Sequence, residues 1–99
     1  MTEPDDPRVP LAEGMLEAME DFRLGPLSLH QLCWELKSRI AALRAVADEE
    51  WVDELKATWN RLDVVNAFFI KSRRDSLQPD ELQEIDGVLS RLRAELTPY

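Results

Sequence analysis

Apolar residues recur along this chain at spacings of three and four, in four stretches divided by glycine, proline and acidic breaks, which predicts four amphipathic helices and no strand. The first begins at Pro10, a residue suited to a first helical turn. Leu11, Met15, Met19 and Phe22 form its stripe before Gly25 and Pro26 stop it. The second is announced by Ser28 and Gln31, spaced as a capping box, with Leu27 and Leu32 flanking them as a hydrophobic staple. Its stripe is Leu29, Leu32, Cys33, Leu36, Ile40 and Leu43, and it is expected to end near Ala47, where Asp48 can cap the next helix.

The third helix is predicted from about Glu49 to about Ser72. Val52, Leu55, Trp59, Leu62, Val65 and Phe69 should point inward, with Trp51 and Phe68 on the shoulders. After a loop from Arg73 to Gln78, Pro79 takes the first-turn position, Glu81 the acidic third position, and Leu77 with Leu82 repeats the staple spacing. Leu82, Ile85, Leu89, Leu92 and Leu96 make the fourth stripe. Gly87 interrupts it, either to admit another helix closely or for no packing reason. Short connections make consecutive helices antiparallel neighbours, so the expected fold is all-α, an antiparallel four-helix bundle spanning residues 10–99 as one domain. An orthogonal array with the short first helix laid across the others is the alternative. Residues 1–9, with Pro4, Pro7 and three acids, are expected to form a flexible acidic arm.

Composition narrows the class. Hydrophobic residues make up 44% of the chain and charged residues 32%, which suits a folded globule and not a disordered acidic tail. The single cysteine, Cys33, can form no internal disulfide, no apolar run reaches the ~20 residues that span a bilayer, and the N-terminal region is acidic where a secretory leader is basic. A cytoplasmic location is the expectation, without membrane association, since anionic lipid repels such a surface.

The residues that carry chemistry are sparse. His30 is the only histidine and shares a helical face only with Cys33, so neither a di-iron nor a zinc ligand set can be completed. No catalytic motif surrounds Ser28, Ser38 or Ser72, and Gly14, Gly25 and Gly87 are isolated, so no phosphate-cradling loop is present. The reading is a non-enzyme without metal or cofactor. Lys71, Arg73 and Arg74 resemble a phosphate-contact patch, but on a chain of net charge -8 direct nucleic-acid binding is not expected. They close the C-terminal end of the third helix, where cations favour the dipole, and Arg39, Arg44, Arg91 and Arg93 lie late in their helices for the same reason.

Twenty Asp and Glu stand against 12 Lys and Arg, and the self-repulsion of that surplus invites a basic partner. The densest group is Asp48, Glu49, Glu50, Asp53 and Glu54 around Trp51. Asp48 can cap, and Glu49 and Glu50 gain from the helix dipole; Glu49 with Asp53 and Glu50 with Glu54 are like-charged i,i+4 pairs that lose a similar amount. An aromatic among carboxylates has the composition of an interface hot spot, although a large core residue at a helix start is equally ordinary. Glu13, Glu17 and Glu20 form a second stripe on the first helix, extended by Asp21. Asp80, Glu81, Glu84 and Asp86 form a third, which capping and dipole explain best. The candidate partner-binding residues are therefore Glu13, Glu17, Glu20, Asp48, Glu49, Glu50, Trp51, Asp53 and Glu54.

The stretch Asp21-Phe22-Arg23-Leu24-Gly25-Pro26-Leu27-Ser28-Leu29, with the Trp51 to Trp59 spacing, resembles the small acidic all-helical immunity proteins that bacteria direct against toxins, of the colicin D immunity and contact-dependent-inhibition types. The resemblance implies a stoichiometric inhibitor that lays an acidic face over the basic, RNA-binding cleft of a toxin nuclease domain. It transfers no individual site residue. Two other classes remain open: a regulator that mimics DNA, and a structural subunit or homodimer whose acidic surface only confers solubility.

Overall fold

A computed structural model describes residues 6–73 and 76–96, so residues 1–5 of the expected arm, and Arg74, lie outside the described residues. Four helices follow one another: α1 (Arg8–Leu24), α2 (Leu29–Leu43), α3 (Glu49–Ser72) and α4 (Pro79–Leu96). They pack in sequence, α1 on α2, α2 on α3 and α3 on α4, and a thinner α1·α4 seam closes an antiparallel four-helix bundle. Neither α1 with α3 nor α2 with α4 is in contact, so each of these pairs stands on a diagonal.

Local chemistry sets the helix ends. α1 starts two residues ahead of Pro10, because the Asp6 carboxylate accepts the Arg8 backbone N–H at 3.0 Å and also receives the Arg8 Nη2 donor at 2.7 Å. Pro10 is then the third residue of the helix, where a missing N–H leaves nothing unpaired. At the other end Gly25 adopts φ 113°, a left-handed conformation open to glycine, and donates its N–H to the carbonyls of Asp21 and Phe22. The predicted capping box opens α2: Ser28 Oγ accepts the Gln31 N–H at 3.1 Å and Gln31 Oε1 accepts the Ser28 N–H at 3.0 Å.

α2 ends at Leu43, short of Ala47, since the N–H groups of Ala45 and Val46 turn back to carbonyls three residues earlier and tighten the chain out of the α-helix. Asp48 then caps α3 by accepting the Trp51 N–H at 3.2 Å. Glu81 accepts the Gln78 N–H at 2.8 Å ahead of α4.

The core runs the length of the bundle. Met15 and Met19 of α1, Leu32, Leu36 and Leu43 of α2, Val52, Leu55 and Leu62 of α3, and Ile85, Val88, Leu92 and Leu96 of α4 are all fully enclosed. α2 is pinned to α3 by Trp59, whose Nε1–H donates to the Cys33 carbonyl at 3.0 Å, and by the Cys33 thiol, which donates to the Leu62 carbonyl at 3.9 Å. α1 approaches α2 at Gly14, where a Cβ would lie 2.5 Å from the Arg39 guanidinium, so the absent side chain makes room for that arginine. Gly87 has no such role, because a Cβ there would meet nothing within 4 Å.

Candidate functional site

The acidic residues divide between two diagonal helices. Glu13, Glu17 and Glu20 lie on α1, and Asp48 to Glu54 open α3, so the nine candidate residues are split between two helices whose backbones do not approach closely. Within the second group Asp48, Glu50, Trp51, Asp53 and Glu54 surround a shallow open concavity, while Glu49 stands exposed beside it. Trp51 is half-buried and rests against the core, which gives the carboxylates a rigid aromatic centre.

Their charges are not equally free. Asp48 is committed to its cap, and Asp53 Oδ1 receives the Arg44 Nη2 donor at 3.0 Å, an exposed pair of small energetic weight. Glu49, Glu50 and Glu54 make no ion pair among the described residues. On α1, Glu13 and Glu17 are likewise exposed and unpaired among the described residues, whereas Glu20 is bonded to Arg23. That hydrogen bond holds the Glu20 carboxyl below its ordinary range, and the charge of Arg93 on α4 acts in the same direction. The α4 acids behave as their positions suggest: Glu81 serves the helix start and Glu84 accepts from Arg61 of α3 at 3.1 Å.

A second region carries chemistry that the sequence reading passed over. Along the outer face of the α2·α3 seam run two adjoining concavities that share Lys37 and Trp59. One, lined by Lys37, Ile40, Ala41, Arg44, Lys56 and Trp59, is apolar at its base and cationic at its rim. The other holds His30, Cys33, Trp34, Asp63 and Asn66. Asn66 is only 6% exposed, its Nδ2 is 3.5 Å from His30 Nδ1, and its buried Oδ1 has no hydrogen-bond partner among the described residues. Burial, reinforced by the charge of Asp63, pushes the Cys33 thiol up to about 12, which makes it a protonated packing group and a poor nucleophile at neutral pH. Among the described residues no group of three or more His, Cys, Asp or Glu side chains is placed to hold a metal ion.

The available signal for the cationic concavity was Lys37, Ala41 and Arg44, spaced i, i+4, i+7 on α2, and Lys56 with Trp59, spaced i, i+3 on α3. Reading Arg44 only as a helix-end cation concealed it.

No protein-family model, curated protein or solved structure matches the chain. The likeness to immunity proteins therefore rests on Asp21 to Leu29 and the tryptophan spacing, and the first of these is helix punctuation: a glycine cap followed by a capping box. No helix among the described residues is long and apolar enough to cross a membrane.

Proposed function

We propose that this chain is a non-enzymatic binding module that engages a basic protein surface through the acidic start of α3, with inhibition of a toxin nuclease domain as its sharpest form. The observation that carries this reading is the grouping of Asp48, Glu50, Trp51, Asp53 and Glu54 about one open concavity, with Glu50 and Glu54 free of internal counter-ions among the described residues. A net charge of -8 steers a cationic partner toward such a surface and repels nucleic acid and anionic lipid. Trp51, anchored on the core, supplies an aromatic contact that loses little side-chain freedom on binding. The α1 stripe, on the diagonal helix, adds long-range attraction without sharing the contact.

A photo-crosslinking residue placed at Glu54 in the native cell identifies the partner, and association kinetics then test the mechanism. Glu49→Gln, Glu50→Gln and Glu54→Gln together leave the Asp48 cap and the Arg44–Asp53 pair intact. The triple variant should associate about tenfold more slowly at low salt, with a flatter dependence on ionic strength. An unchanged association rate, or a captured partner with an acidic contact surface, overturns the reading.

A further inference from the structure

The cationic concavity on the α2·α3 seam is separate from the acidic start of α3 and poses a different question. Three bases, Lys37, Arg44 and Lys56, rim a cavity of about 140 Å³, and no carboxylate among the described residues lines it, in a chain where acids outnumber bases 20 to 12. Arg44 is engaged by Asp53 at 3.0 Å, but Lys37 and Lys56 make no ion pair among the described residues. Along its own helix Lys37 has no carboxylate three or four residues away on either side, and Lys56 has only Asp53, three residues before it, whose Oδ1 receives the Arg44 donor.

Lysines often lie over apolar seams with their stems packed and their charges in water. That account treats each lysine separately; here Lys37 and Lys56 line the same apolar-floored hollow as Arg44. The floor is apolar and firm. Ile40 is 3% exposed, and the Trp59 ring is held by the bond from its Nε1–H to the Cys33 carbonyl, so this wall exists before any ligand arrives. Ala41 has the smallest side chain of the floor, and its size leaves the space open.

Volume and charge together select the ligand. An apolar cavity of about 150 Å³ accepts a benzene ring. A simple inorganic anion would use the rim and leave the Trp59 wall uncovered, and a neutral ring would make no use of the rim charges. We propose that the cavity binds a monocyclic aromatic carboxylate, its ring against Trp59, Ile40 and Ala41 and its carboxylate held by Lys37 and Lys56, with Arg44 adding positive potential.

The test uses the full chain labelled with ¹⁵N and follows the indole N–H signals of Trp34, Trp51 and Trp59 during titration with benzoate, benzyl alcohol and inorganic phosphate. Benzoate should shift the Trp59 signal saturably and leave Trp51 unmoved, with benzyl alcohol and phosphate each binding at least about tenfold more weakly. Lys37→Met with Lys56→Met keeps both stems and removes both charges, and should weaken benzoate about tenfold or more. Ala41→Leu keeps both charges, costs the helix little and fills the floor, and should also weaken it by at least about tenfold. Absence of a saturable Trp59 shift below about 10 mM benzoate, phosphate binding as tight as benzoate, or benzoate binding unchanged in both variants overturns the proposal.

Discussion

The two halves of α3 obey different rules. From Glu49 to Leu62 the helix keeps its period: carboxylates face out, and Val52, Leu55, Trp59 and Leu62 face in. From Asp63 onward the polarity partly inverts, with Val64 and Phe68 67% and 62% exposed, Ile70 exposed as well, and Asn66 buried. For Phe68 and Ile70 the cause is the end of a neighbour, whereas Val64 stands before that end on a face turned to solvent. Asn66 lies against His30, the second residue of α2, so the last turns of α3 run past the start of α2 and lose one of the two helices that could cover them. Apolar character places a residue inside only where another element is present to receive it.

Cavity formation in the first half gives the largest way to break this contrast. Leu62→Ala removes a fully enclosed side chain and should destabilise the protein by about 2–5 kcal/mol in denaturant unfolding; a loss below 1 kcal/mol would show that this half is loosely packed. Trp59→Phe, which forfeits the bond to the Cys33 carbonyl and part of the ring area, should cost about 1–3 kcal/mol.

Smaller again is an alkaline effect at the same seam. The unfolded Cys33 thiol ionises near 9.0, the folded one near 12, so the unfolded state loses its proton first and stability falls as pH rises through that window. Urea midpoints measured across it should decline in the parent and less steeply in Cys33→Ala, whereas equal slopes would place the thiol in a wetter site.

The second half should respond in the opposite sense. Asn66→Leu deletes a buried amide whose Oδ1 has no partner among the described residues, and should be neutral or stabilise by up to about 1 kcal/mol; a clear loss would mean the amide is satisfied and the inversion functional in packing. Val64→Gln should change stability by less than about 0.5 kcal/mol, and a larger loss would show that its exposed face is covered after all.

Legibility followed the range of the interaction. Ser28 with Gln31, Asp48 with Trp51, and Pro79 at the start of α4 mark boundaries that were readable because each cap is made within three residues. The early start of α1 escaped, since it depends on the Asp6 carboxylate reaching the Arg8 N–H, and so did the early end of α2. Val65 and Phe69, expected inside, are only half-buried and Leu82, expected to begin the fourth stripe, is exposed, while Thr58 and Asn66 are buried without any apolar signal to announce it. The acids of the candidate site were visible by composition. Their separation onto diagonal helices was implied by the expected bundle, but periodicity within one helix could not choose that bundle over the orthogonal array.

Four helices, their inward stripes and most of their caps were determined by the sequence itself, since a 3.6-residue period and a capping side chain act over one or two turns. Tertiary structure alone decided between the bundle and the orthogonal array, and decided that α3 outruns α2 and that Lys37, Arg44 and Lys56 line one concavity. Those outcomes depend on the order in which apolar faces pair, and pairing joins residues far apart in the chain through burial shared by all four helices.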